Sequence, residues 1–222
     1  MELVPMEINP EMLNKLLDKG GANPTWKFVD VLCFEDEYLK SLSHPICAVL
    51  LLFPLTSQHE EFRKKQNEDL KGKEPDPKVY FIKQTITNSC GTIGLLHAAA
   101  NNQDKLSFGD GSALKDFLNK SADASPNDRA KLLEKNEALR SAHNSVAAEG
   151  QCRVDDDVHF HFVVFTAVNG HLYELDGLTP QPIDHGSTSE KSFLKDAAKI
   201  CHDYTVREKG EVRFSAVALV KA

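Results

Sequence analysis

The chain has 222 residues, of which 41% are hydrophobic and 27% charged, and a formal net charge of −7. That is the make-up of a globular chain with a sizeable core, and the acidic balance argues against nucleic acid and anionic membrane as partners while permitting a basic protein partner. Five cysteines at positions 33, 47, 90, 152 and 201, with no paired spacing, read as reduced thiols and suggest the cytoplasm; the lack of a CxxC pair or HExxH box gives no reason to expect a metal or cofactor.

The first six residues lack the basic and apolar regions of a signal peptide. Asn9-Pro10-Glu11 combines a cap, a first-turn proline and an acid, and predicts a helix with Met12, Leu13, Leu16 and Leu17 inward that Gly20-Gly21 stops. Residues 26–31 alternate as a strand. Residues 46–53 are apolar on both faces, as a central strand should be, and the surrounding apolar run is too short for a membrane span, which needs ~20 residues. Cys33 and Cys47 read as small core residues. Residues 57–71 are highly charged and read as a solvated helix without special function, with Phe62 and Leu70 turned inward. A proline-containing surface loop over 72–78 leads to a short strand over 79–82.

Past position 94, residues 112–120 form an amphipathic helix using Leu114, Phe117 and Leu118. Ser125-Pro126-Asn127-Asp128 is a helix-opening cap, which explains Ser125 without phosphorylation, and the helical stretch runs to about 148 with a break near Asn136. Residues 149–157 are polar and unpatterned and read as a mobile linker. Residues 159–165 alternate as a strand; Asn169-Gly170 is a strong hairpin signal, and 171–177 is the returning strand. A proline-rich loop over 179–184, a helix within 188–207 with Leu194, Ala198 and Cys201 inward, and a strand over 211–220 complete the chain. Strands and helices mix without repeats or an interior linker, which favours one α/β or α+β domain.

The stretch between 84 and 94 carries the chemistry. A strand–turn–helix reading puts Cys90 in or beside a first helical turn capped by Asn88 or Ser89, where unpaired N–H groups and the positive dipole end favour a thiolate. Gly91 and Gly94 make sense there if something approaches the backbone closely. Gln84, six residues upstream, can return an amide toward the same point as an oxyanion donor. Taken alone, Cys90 could equally be a buried structural thiol. A nucleophile needs a base and the base an orienter. A two-residue Asn169-Gly170 turn pairs Val168 with His171, sets Val163 opposite Asp176, and places His161 and Asp176 diagonally on one face, within side-chain reach. His159 shares the face but lies further from Asp176, and His97 sits about two turns beyond Cys90. A strand histidine satisfied by a neighbouring acid is the competing reading of His161.

With Gln84-Thr85-Ile86, Asn88-Ser89-Cys90-Gly91-Thr92-Ile93-Gly94-Leu95, His161 and His171-Leu172-Tyr173-Glu174-Leu175-Asp176-Gly177 in place, the sequence strongly resembles the ubiquitin C-terminal hydrolases, papain-like cysteine deubiquitinases. The resemblance covers essentially the whole chain, from Met6-Glu7-Ile8-Asn9-Pro10 to Arg213-Phe214-Ser215-Ala216, and implies one catalytic domain over 1–222. The implied fold is an α–β–α sandwich with a central, mainly antiparallel sheet, a papain-like core and a knotted backbone. The implied activity is thiol-dependent hydrolysis of esters, amides and small peptides at the C-terminal glycine of ubiquitin, with Cys90, His161, Asp176 and Gln84 as catalytic residues. The alternative is a protein that holds free mono-ubiquitin with little turnover. Ubiquitin contacts are implied at Pro5, Met6, Glu7, Ile8, Asn9 and Pro10 and at Glu211, Val212, Arg213, Phe214, Ser215 and Ala216. Gln151, Cys152, Arg153, Val154, Asp155, Asp156 and Asp157 correspond to a crossover loop that limits leaving-group size. The expected partners are ubiquitin and its small adducts, with no nucleic acid or membrane, and the chain is expected as a monomer or weak homodimer.

Overall fold

A computed structural model describes residues 2–42, 45–150 and 159–222. In chain order the elements are α1 (Pro10–Lys19), β1 (Trp26–Val31), α2 (Asp36–Ser41), β2 (Ile46–Pro54), α3 (Ser57–Asp69), α4 (Cys90–Ala100), α5 (Ala113–Ser121), α6 (Pro126–Glu134), α7 (Glu137–Ala147), β3 (Phe160–Val168), β4 (His171–Leu175), β5 (Ile183–Ser187), α8 (Phe193–Arg207) and β6 (Ser215–Lys221). The strands form one sheet, ordered β1-β6-β2-β3-β4-β5, with every pairing antiparallel. β2 is central, and Ala48, Val49, Leu50 and Leu51 are almost fully buried. Because successive side chains point to opposite faces, Leu50 joins one apolar layer with α1, α4, α5, α6 and α7, while Val49, Leu51 and Phe53 join a second with α2 and α8. This is the expected α–β–α arrangement. Among the described residues, no helix is long and apolar enough to cross a membrane.

Helix starts follow the sequence signals closely. Asn9 Oδ1 accepts from Met12 N at 2.9 Å, Ser112 caps α5, Ser125 caps α6, and Asn136 caps α7 where the break was expected. Three expectations need correction. Residues 79–82 are buried but join no strand. Side chains bind their backbone instead: Asn101 Oδ1 accepts from Tyr80 N at 2.8 Å, His97 Nε2 accepts from Ile82 N at 3.1 Å, and Arg129 Nη1 donates to Phe81 O at 3.0 Å. Buried backbone groups need partners, and these satisfy the need without a ladder. β5 occupies part of the expected 179–184 loop, with Ile183 opposite Glu174. The last strand begins at Ser215 rather than Glu211, because the Glu211 carboxylate accepts from Val212 N and Arg213 N and folds that stretch into a turn.

The buried histidines make stability sensitive to mild acid. His97, stacked 5.3 Å from the Phe81 ring, and His59 beneath Arg207 are both pushed down to about 3, in each case chiefly by burial. An unfolded histidine titrates near ~6.5. As pH falls below that value the unfolded chain takes up protons that the native state refuses, so the stability these groups contribute is complete above ~6.5 and is lost toward 3. The urea midpoint is therefore expected to drop between pH 7.5 and pH 5, and His97→Gln, which keeps an acceptor for Ile82 N, should show a shallower drop. An equal drop in the variant would remove His97 from this account.

Candidate active site

Cys90 is the first residue of α4, as expected, but neither proposed cap acts as one. Ser89 makes no side-chain cap bond; its hydroxyl donates to Ile86 O at 2.7 Å. Asn88 adopts a left-handed backbone, φ 63°, and its amide points toward the N-terminal segment. Gly91 has the tight environment expected of it: a Cβ there would lie 2.5 Å from Met6 Cε and 3.0 Å from Ile8 Cδ1. Gly94 does not, since a Cβ would make ordinary contacts at 3.5 Å with Leu50 and Val164. Those contacts show how α4 lies across β2 and β3.

The remaining described cysteines differ from Cys90. Cys47 and Cys201 are buried, and burial pushes both thiols up, Cys47 to about 12. Cys33 is half-buried, two residues past the edge strand β1 and outside the core clusters, contrary to expectation. Cys152 lies outside the described residues.

On the sheet, Asn169 and Gly170 have φ of 51° and 76°, the left-handed pair a tight hairpin requires, and Val168 pairs with His171 as the count demanded. Pairing runs to Val164 opposite Leu175. One residue on, Asp176 turns its carboxylate to His161, with Oδ1 2.7 Å from Nε2. Both side chains are buried. His159 is exposed, and His171 is exposed and paired with Asp184. Gln84 is joined to the same place by backbone: its N–H donates to Gly177 O at 3.0 Å, and a Cβ on Gly177 would come within 2.8 Å of Gln84 Cβ. The glycine after Asp176 is thus required by the close approach of Gln84. The Gln84 side-chain oxygen is buried with no hydrogen-bond partner among the described residues.

Beneath this site lies a charge cluster that sequence reasoning missed. The charged helix α3 turns His59 and Arg63 inward, whereas Phe62 and Leu70 are only half-buried. Arg63 Nη2 lies 3.0 Å from Asp176 Oδ2, 2.5 Å from Glu174 Oε1 and 2.7 Å from the Tyr204 hydroxyl. Glu174 also accepts from Tyr204 at 2.5 Å and engages His185 Nε2 at 2.8 Å. Burial opposes ionisation of both carboxyls. The His161 and Arg63 charges and the Leu178 N–H outweigh it at Asp176, and Arg63 and His185 outweigh it at Glu174, so both stay below the usual carboxylate range. The only sequence signal was positional: His59, Arg63 and Gln66 share a helix face.

The two segments implied as docking surfaces flank the site. Pro5, Glu7, Ile8, Asn9 and Pro10 are half-buried, and Met6 is buried against Gly91, next to Cys90. Val212, Arg213 and Ser215 are exposed, Glu211 and Phe214 are half-buried, and Ala216 is buried in the core. The Arg213 guanidinium sits 5.9 Å from the centre of the Phe160 ring, next to His161. The expected crossover residues, Gln151 to Asp157, lie outside the described residues.

The sequence pattern of the family described as ubiquitin carboxyl-terminal hydrolase, family 1, matches residues 3–205. The chain belongs to that family. It is 66% identical to ubiquitin carboxyl-terminal hydrolase isozyme L1 of Homo sapiens over 222 residues, and 67% identical to that of Mus musculus, with 100% of both chains covered in each case. The fold matches the Trichinella spiralis UCH37 catalytic domain bound to ubiquitin vinyl methyl ester, with a TM-score of 0.80, 24% identity, and 100% of this chain and 97% of that chain covered. Among ubiquitin carboxyl-terminal hydrolases, then, this chain carries a buried His161–Asp176 pair, a helix that opens on Cys90, and Gln84 against Gly177.

Proposed function

We propose that the chain is a cysteine deubiquitinase, one catalytic domain over residues 1–222, that hydrolyses esters, amides and small peptides at the C-terminal glycine of ubiquitin. The observation that carries this reading is the 2.7 Å bond between buried His161 and Asp176, formed in a chain whose Cys90 opens the helix lying across the histidine's strand. Its full-length likeness to ubiquitin carboxyl-terminal hydrolase isozyme L1 supplies the substrate class.

In this reading Asp176 fixes the tautomer by accepting the Nε2 proton, so Nδ1 of His161 takes the thiol proton of Cys90. The thiolate attacks the carbonyl carbon of the ubiquitin glycine. The Gln84 amide and the Cys90 backbone N–H receive the oxyanion. His161 returns the proton to the departing alcohol or amine, leaving a thioester, and then activates the water that hydrolyses it. Asp176 supports the imidazolium while Arg63 keeps Asp176 ionised. The flanking segments at 5–10 and 211–216 dock ubiquitin, residues 151–157 limit the leaving group, and the protein acts in the cytoplasm as a monomer or weak homodimer.

The test is exposure to ubiquitin bearing a C-terminal electrophile, followed by peptide mapping. A single adduct at Cys90, absent in Cys90→Ala, is expected. An adduct at Cys33 or Cys152 that persists in Cys90→Ala would overturn the assignment.

A further inference from the structure

We propose that Asn88 is a positioning residue for the oxyanion hole, fastening the N-terminal segment Glu2–Val4 to the turn that aims the Cys90 backbone N–H. The proposal rests on the reading of that N–H as an oxyanion donor.

Four features meet at this turn. The left-handed conformation of Asn88 is uncommon for any residue but glycine, and it sets the direction of the two peptide groups that lead into Cys90. No cap side chain holds the entry to α4, since Ser89 turns its hydroxyl back to Ile86 O. The Asn88 amide does the holding: Nδ2 donates to Leu3 O at 3.1 Å and to Glu2 Oε1 at 3.0 Å, while Leu3 N donates to Thr87 O at 3.0 Å, so residues 2 and 87 pair as parallel backbone.

The fourth feature gives the N-terminal segment a fixed footing. Val4 N donates to Asn144 Oδ1 at 3.2 Å, and Val4 O lies 2.8 Å from His143 Nε2. The other ring nitrogen of His143 lies 2.7 Å from the Thr92 hydroxyl, two residues past Cys90. With Nε2–H donated to Val4 O, Nδ1 must accept from Thr92. The segment is therefore bound on one side to α7, and through His143 to the first turn of α4, and on the other side to the loop that enters α4. The Asn88 amide closes this ring of contacts. Without it, the peptide before Cys90 keeps its substrate-side role but loses the constraint on its direction. An oxyanion donor acts through where it points, and removing such a donor costs ~10²–10³ in turnover; misaiming it costs part of that.

Asn88→Gly removes the amide while keeping a residue at ease with positive φ; Asn88→Ala removes the amide and adds backbone strain. Turnover and KM for a ubiquitin C-terminal ester are measured beside the rate of Cys90 alkylation by iodoacetamide, which needs the thiolate but no oxyanion hole. In Asn88→Gly, kcat is expected to fall about 10-fold with KM and the alkylation rate within about twofold, and Asn88→Ala should be lower still. A poorly folding Asn88→Ala leaves the decision to Asn88→Gly. A kcat in Asn88→Gly within twofold of the parent overturns the proposal, as does alkylation that falls in parallel with kcat. Gln84→Ala serves as the reference: if it lowers kcat while Asn88→Gly does not, this proposal alone falls, and if neither lowers it, the oxyanion reading falls too.

Discussion

His161→Ala is expected to lower kcat for a ubiquitin C-terminal ester by about 10³–10⁴, toward the upper end of what a general acid–base contributes, because one imidazole serves as both base and acid. Asp176→Asn should approach the same loss by another route. The Asp176 carboxylate can only accept, so it holds the proton on Nε2 and leaves Nδ1 basic. An asparagine can present its amide N–H to Nε2 instead and stabilise the wrong tautomer, with the geometry unchanged. His159→Ala is the control, since that side chain is exposed and its backbone oxygen still accepts from Leu55 N at 2.7 Å. KM should change little in any of the three. Steady-state kinetics on protein shown to be folded by circular dichroism checks the order. A His161→Ala enzyme that keeps a tenth of parental kcat, or a His159→Ala enzyme that loses as much as His161→Ala, would remove His161 from its role.

That prediction was open to sequence reasoning because a hairpin converts spacing into geometry. Once Asn169-Gly170 sets the turn, register follows by counting, and the count reaches Asp176 beside His161 from residues alone. The caps at Asn9 and Ser125 were legible for a similar reason, since each acts on backbone only three residues away; the expected start at 112 and the expected break near Asn136 turn out to be capped in the same way. What was hidden depends on distant partners. Residues 79–82 look like a strand, but their hydrogen bonds go to Asn101, His97 and Arg129, and nothing local reveals that. β5 is a short edge strand with exposed polar residues and a glycine, so neither alternation nor propensity marks it. Asn88 looked like a cap, and only the return of the N-terminal segment shows what its amide binds. α3 misled most, because its buried face is polar. Hydrophobic periodicity finds helices that bury oil, and here the inward residues are His59 and Arg63.

Arg63→Leu is expected to be the most destabilising single change in the site. The guanidinium bridges Glu174 and Asp176, and both carboxylates are almost fully buried. Breaking a buried ion pair from one side costs ~3–5 kcal/mol, because the partner charge stays behind uncompensated. For a chain of this size each kcal/mol lowers Tm by ~2–4 °C, so a fall of roughly 6–20 °C follows. The pH dependence has a definite sign. Glu174 and Asp176 are held below the usual carboxylate range, so their contribution is complete above pH ~5 and is lost as pH falls through the native values. Without Arg63 both carboxyls rise, protonation relieves the buried repulsion at less acidic pH, and the gap in stability between variant and parent should narrow toward pH 4. Activity should follow, with the acid limb of kcat moving upward because Asp176 must be ionised to hold His161. Glu174→Gln should restore part of the stability lost in Arg63→Leu, since one of the two stranded charges is then gone, and the double-mutant cycle should show coupling above ~1 kcal/mol. Additive losses, or an Arg63→Leu protein within 1 kcal/mol of the parent by urea titration, would mean that the cluster beneath the triad is solvated well enough not to need its arginine.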